Sequence, residues 1–238
     1  MPGDTPSAPA TESAFAASSR STLTRRDLAR FEGDGLFRRV ARTLCQAECL
    51  PRKELFESWE IARRARRRFR GGRVLDLACG HALVAHLMLL LDDSSPKALA
   101  VDARLPSSAA KVADCFVREW PRLAHRVELV EASIASVAAE PGDVLVSCHA
   151  CGTLTDDVLR MALDARARVV VLPCCHDAAR SDQGSLGGWL DSPLAIDVTR
   201  VARLRAHGYA VHTQLIPATI TPKNRLILAT PSERSAPL

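Results

Sequence analysis

The stretch Val74-Leu75-Asp76-Leu77-Ala78-Cys79-Gly80-His81-Ala82 decides how this chain folds. Val74–Leu77 is a short, largely apolar run set off by Gly71-Gly72 on one side and small residues on the other, the pattern of a buried strand. Ala78, Gly80 and Ala82 put small residues at alternate positions, so the backbone can turn tightly and approach a ligand closely. Ala82–Leu91 follows as an apolar helix. Strand, small-residue turn and helix make the first unit of a sheet built with crossover helices.

Working outward, the alternation continues. Ala98–Val101 reads as a second strand ending at Asp102. Ser107 or Ser108 can cap a helix that runs to Trp120, where Pro121 stops it. Val127–Val130, Val144–Ser147 and Val169–Leu172 read as further strands, with a helix at Thr155–Ala165. Val198–His207 predicts a helix closed by Gly208, and Tyr209–Ile216 and Arg225–Ala229 predict two last strands. Strands alternating with helices imply right-handed crossovers and a parallel sheet. The last two strands are joined by only Pro217–Asn224, too short for a parallel crossover, so they should pair antiparallel. Upstream, Leu36, Phe37, Val40, Ala41, Leu44 and Cys45 recur at helical spacing, and Pro51 opens a second helix with Leu55, Phe56, Trp59, Ala62 and Phe69 on one side. The expected organisation is a disordered tail over 1–21, a basic helical extension over 22–70, a ligand-binding α/β domain over 71–230 and a short tail over 231–238.

In such a sheet, ligands sit beyond the carboxyl ends of the strands. The opening stretch resembles motif I of methyltransferases, with Gly80 at the central glycine position and Ala78 and Ala82 in place of the outer glycines. Seven strands with an antiparallel last pair also resemble the Rossmann-type (class I) methyltransferase sheet, not a dehydrogenase, and no G-x-G-x-x-G is present. The resemblance implies S-adenosylmethionine as cofactor. Asp76, Ala78, Cys79 and Gly80 would then line its methionine end, with Asp76 organising the loop or attracting the ammonium group. Asp102, 22 residues past Gly80, would accept the ribose hydroxyls. Ser133 and Ile134 fall where this superfamily places its adenine contacts.

Two strand ends are chemically unusual: Ser147-Cys-His-Ala-Cys-Gly-Thr-Leu-Thr-Asp156 and Leu172-Pro-Cys-Cys-His176. These H-x-C-G-x-x-T-D and C-C-H segments resemble the methyltransferase domain of eukaryotic tRNA 2′-O-ribose methyltransferases, and a wider set of methyltransferase-like proteins. The matching residues are His149, Cys151, Gly152, Thr155, Asp156, Cys174, Cys175 and His176. Lys53-Glu-Leu-Phe-Glu-Ser-Trp59 and Thr221-Pro-Lys-Asn-Arg225 resemble bacterial members of the wider set. The zinc-binding modules that the tRNA enzymes carry at their N-terminus have no counterpart before residue 45. Methyl transfer to a hydroxyl needs an in-line oxygen and a proton acceptor. His149 and His176 are the candidate bases, and Lys223 can position a phosphate or polarise the hydroxyl. His81 is expected to contact solvent or cofactor, and His86 to be a satisfied core histidine.

Cys148-x-x-Cys151 with Cys174, Cys175 and His176 raises the question of zinc. Only one C-x-x-C pair exists, and its first cysteine should point into the strand, so no metal is expected. The eight cysteines otherwise read as reduced and cytosolic, and residues 1–21 lack the apolar core of a secretory signal. No apolar run is long enough for a membrane span, so a cytoplasmic protein is expected. Charge is uneven: residues 20–73 hold sixteen Lys and Arg against seven Asp and Glu, a local net of +9 on a chain of net +5. Arg63, Arg67 and Arg70 share a helical face that could track phosphates, which makes RNA the expected partner. The expectation is an S-adenosylmethionine-dependent methyltransferase acting on RNA, with a tRNA ribose 2′-hydroxyl as the target. A small molecule or protein substrate, or a non-catalytic cofactor-binding regulatory module, is the alternative.

Overall fold

A computed structural model of the chain describes residues 15–232. Seven strands are present: β1 (Val74–Leu77), β2 (Ala98–Asp102), β3 (Val127–Glu131), β4 (Val144–Ser147), β5 (Arg168–Val171), β6 (Tyr209–Leu215) and β7 (Arg225–Pro231). They form one sheet in the order β3-β2-β1-β4-β5-β7-β6. The first five pair in parallel, and β7 slots between β5 and β6 antiparallel to both. The expected α/β sheet with its antiparallel last pair is what forms.

Six helices cover the sheet: α1 (Leu36–Ala47), α2 (Arg52–Arg68), α3 (Leu83–Leu91), α4 (Ala109–Glu119), α5 (Leu154–Ala165) and α6 (Ser192–Ala206). Successive strand residues point to opposite faces, and the two faces are covered by different helices. Val74, Ala98, Val144 and Val170 pack with α1 to α4. Leu75, Leu145, Val169 and Ile227 pack with α5, α6 and Tyr209. The helical extension is therefore not an appendage, because Leu44, Leu55 and Ile61 share one core with Met88 and Phe116.

Several boundaries differ from expectation. Residues 15–21 do not form a tail: Phe15 packs edge-on against Phe31 and under the Arg52 guanidinium, and Ser19 and Ser21 carbonyls accept from the Lys53 and Arg52 amides. The rest of the expected tails, 1–14 and 233–238, lies outside the described residues. Helix α6 starts six residues before Val198, because Asp191 caps it through the Leu194 amide and Pro193 fits its first turn. Gly72 has a φ of +77°, and a Cβ there would collide with the Gly142 carbonyl, which fixes how α2 hands over to β1. Among the described residues, no helix is long and apolar enough to cross a membrane.

Part of the basic stretch is used inside the molecule. Helix α3 ends without a glycine cap, and arginines satisfy its last carbonyls instead. Arg66 donates to Met88 O, Arg70 to Leu91 O, and Arg122 to Leu89 O and Leu90 O. Arg66 is only 2% exposed, pairs with Asp92 at 3.1 Å, and burial lowers its guanidinium to about 10. Arg63 pairs with Glu60, and Arg70 lies beyond the end of α2. Of the expected face, Arg63 is thus held in an ion pair, and Arg67 and Arg70 are exposed beside Arg68.

Candidate functional site

The loop after β1 shows why small residues are needed at alternate positions. Ala78, Gly80 and Ala82 all take positive φ, at +55°, +51° and +58°. Glycine adopts such a backbone freely, whereas alanine pays roughly 1–2 kcal/mol for it. The chain therefore keeps the three-turn geometry with a single glycine. A Cβ added at Gly80 would meet nothing within 4 Å, so the loop backbone is open to a ligand on that side.

Asp102, at the end of β2, closes this loop from the neighbouring strand. One carboxylate oxygen accepts from the Gly80 amide at 2.9 Å and the other from the Arg104 amide at 3.0 Å. A carboxylate offers about four lone-pair directions, so two remain for the vicinal hydroxyls of a ribose. Backbone openness at Gly80 and spare acceptor capacity at Asp102 fit a nucleoside-bearing cofactor. Asp102→Ala is expected to weaken S-adenosylmethionine binding by about 1–3 kcal/mol, the cost of stranding polar partners. Calorimetry showing unchanged affinity in a folded variant removes the assignment. Ser133 caps a short turn through the Ala135 amide, with Ile134 buried beside it. Both line a cleft with Leu154, Asp157 and Met161.

Asp76 points to the α1–α4 side and is 1% exposed. Its carboxylate accepts from the Ala85 amide at 2.9 Å, so it ties β1 to the start of α3. Burial pushes its carboxyl up to about 8, against that hydrogen bond, and Glu54 and Asp102 push in the same direction as burial. The unfolded chain loses this proton near pH 3.8 while the folded chain keeps it to about 8. Stability from this group is therefore full at low pH and lost as pH rises through that window, at roughly 1.4 kcal/mol per pH unit. Asp76→Asn stays neutral and is expected to flatten the decline. Urea unfolding in mildly acidic and mildly alkaline buffer checks this, and equal losses in wild type and variant refute it.

On the other side of β1 from β2, β4 and β5 are adjacent and parallel, with Ser147 opposite Val171. Their extensions emerge side by side. Cys148 turns into the core, and His149 is half-buried above it. The residues that sequence reading missed come from α2. Buried Glu57 groups with Cys148 and His149, with ligand atoms within 4.8 Å of one another. Lys53 pairs with Glu57 at 2.6 Å. Glu54 lies 3.6 Å from the His81 ring, whose other nitrogen bonds Ser108 at 2.9 Å. His81 is thus engaged by protein groups and does not turn to solvent. The signal was present as Lys53, Glu54 and Glu57 at helical spacing, but an exposed ion pair gives the same pattern. His86 is a core histidine as expected, bonded to Ala82 O at 2.7 Å and lowered to about 4 by burial.

His176 is not placed like His149. Its side chain is 4% exposed and bonds Asp197 at 2.8 Å. Asp197 also accepts from Arg225 at 2.7 Å and Arg200 at 3.3 Å, and Arg200 reaches Asp156 at 2.8 Å. Burial alone would raise the Asp197 carboxyl, but hydrogen bonds from His176 and Arg225 hold it below the usual range. An enclosed ring with a fixed partner suits a brace better than a base facing substrate. Lys223 is exposed in the turn before β7, and its charge acts on Cys151.

A methyltransferase-domain family model matches residues 56–182, just over half of the chain. No curated protein matches in sequence. Among solved structures, an O-methyltransferase family protein from Burkholderia thailandensis is similar over 88% of this chain and 63% of its own length, at 16% identity and a TM-score of 0.51. The chain thus spans less than two thirds of that protein, and the likeness is one of fold. The precorrin-6y C5,15-methyltransferase from Geobacter metallireducens matches over 72% of this chain and 86% of its own, at 15% identity and a TM-score of 0.47.

Proposed function

This chain belongs to the methyltransferase-domain family, with S-adenosylmethionine as its cofactor, and from that premise we propose that it methylates RNA at a ribose 2′-hydroxyl. The observation that carries the reading is His149, half-buried just past the end of β4 and backed by buried Glu57. The cofactor supplies an electrophilic methyl group. A hydroxyl acceptor must give up its proton as the methyl arrives. His149 takes that proton, Glu57 stabilises the charged ring, and Lys53 holds Glu57 in place. Lys223 offers a cation to an acceptor phosphate.

The H-x-C-G and C-C-H resemblance and the basic stretch favour RNA over other hydroxyl compounds. Geometry adds a condition. Glu54 and Glu57 lie near the cofactor loop, whereas Arg67 and Arg68 lie at the other end of a 17-residue helix, about 15 Å or more away along its axis. An acceptor that uses both must be a long polyanion, as a base-paired stem is. Equally, the distance of these arginines from the site favours a small hydroxyl compound as the second reading.

Labelled S-adenosylmethionine incubated with total RNA, protein and metabolite fractions separates the readings. Label in RNA, recovered as a 2′-O-methylnucleoside, is expected. Label in metabolites supports the second reading, and label in no fraction supports a non-catalytic module. RNA binding should fall steeply with salt, and Arg67→Glu with Arg68→Glu should weaken it and flatten the salt slope. Equal weakening from Arg160→Glu with Arg203→Glu would reduce this to general charge attraction.

A further inference from the structure

The same two strand ends gather a second set of reactive groups that the proposed methyl transfer does not use. The sulfur atoms of Cys151, Cys174 and Cys175 lie within 4.8 Å of one another, with Cys151 and Cys174 only 3.2 Å apart. Sequence reading discounted a metal because Cys148 should point inward, and it does. Cys175 takes its place. The third thiol comes from the other loop, because β4 and β5 end in register.

These thiols are not gathered by chance contact of two loose loops. The Gly152 amide donates to the Cys175 carbonyl at 3.1 Å, joining the loops next to the sulfurs. Arg200, 3% exposed, donates to the Gly152 carbonyl and binds Asp156. His176, adjacent to Cys175, is fixed by Asp197. Buried charges of this kind are costly unless paired. Here they brace both cysteine-bearing segments from below, as outer partners do around metal ligands.

We propose that Cys151, Cys174 and Cys175 form a binding site for one zinc-class ion, with a fourth position open to water or an incoming ligand. Tetrahedral zinc holds sulfur at about 2.3 Å, so its thiolates stand roughly 3.8 Å apart. Three sulfurs already within 4.8 Å need only small rotations to reach that spacing. Three thiolates are a soft donor set that rejects magnesium and calcium and selects zinc or copper(I). Three protein ligands with one free position is the pattern of sites that bind a further group. Cys151 and Cys175 are exposed, so the free position faces solvent on the acceptor side. His149 groups with Glu57 and Cys148 instead of the three thiols, so the ion and the proposed base do not compete. This inference does not depend on the acceptor being RNA.

The test uses the full chain, reduced, stripped of metal and titrated anaerobically with cobalt(II). One equivalent should bring up a thiolate-to-cobalt charge-transfer band and the visible bands of a tetrahedral ion, and zinc should displace it. Cys174→Ser should weaken binding by more than the roughly 10–100-fold that loss of an outer partner costs, and Cys115→Ser should not weaken it. If Cys174→Ser does not fold by circular dichroism, Cys151→Ser, at an exposed position, gives the decisive comparison. The proposal is overturned if the reduced wild type shows no thiolate band, or if the band survives loss of these cysteines. It is also overturned if the protein forms a Cys151–Cys174 disulfide in air and takes up no cobalt once reduced.

Discussion

Replacing Asp197 by alanine is expected to destabilise the fold by about 3–5 kcal/mol, the cost of removing one partner from a buried ion network. Asp197 is 4% exposed and joins three groups: His176 from the segment after β5, Arg200 from its own helix and Arg225 from β7. Its loss leaves Arg200 buried with Asp156 as its remaining carboxylate, and leaves His176 enclosed with neither ring nitrogen bonded, since Nδ1 already has no partner. Asp197→Asn keeps the shape and should cost less. The pH dependence has a definite sign. The folded carboxyl is held below its ordinary value of 3.8, so the stability it gives is full above about pH 4 and is lost only on further acidification. Equilibrium unfolding in urea measures both effects. A loss below about 1 kcal/mol for the alanine variant, the size of a surface pair, would mean that the network does not brace the segment.

The network also marks where sequence reading stopped. The positions of Asp76, Gly80 and Asp102 in the sheet were legible because each belongs to a local unit, a strand end or the turn after it, although Asp76 turns inward to tie β1 to α3. The order of parallel strands then brings those ends together, and the 2.9 Å contact between Gly80 and Asp102 is the result. Asp197 was not legible, because it lies in the part of α6 before Val198, where Asp191 and Pro193 start the helix earlier than apolar spacing indicates. The partner of His176 was therefore unknown, and a braced histidine looked the same as a catalytic one. Helix α2 failed differently. Its apolar side was evident, but a helix has two ends as well as two sides. Only the packing of α2 against α3 places Lys53, Glu54 and Glu57 at the site and turns Arg66 into a buried cap for α3. Counting arginines gave the charge but not the use of each one, since Arg66 satisfies helix carbonyls from inside while Arg67 and Arg68 stay exposed.

His149→Ala is expected to lower the rate of methyl transfer by about 10²–10⁴-fold, the usual contribution of a positioned general base. Binding of S-adenosylmethionine should be unchanged, because Gly80 and Asp102 hold each other on other strand ends. The loss should therefore appear in single-turnover rates and not in cofactor affinity. Glu57→Gln tests the positioning role separately. It keeps the shape but removes the charge that stabilises a protonated ring, so it should lower the single-turnover rate, though less than His149→Ala. A purely structural Glu57 would change stability and leave that rate in place. Should His149→Ala retain a rate within about tenfold of wild type, less than a general base contributes, the proton must leave by another route. In that case the base does not sit on β4, and the acceptor reading built on His149 falls while the cofactor site stands.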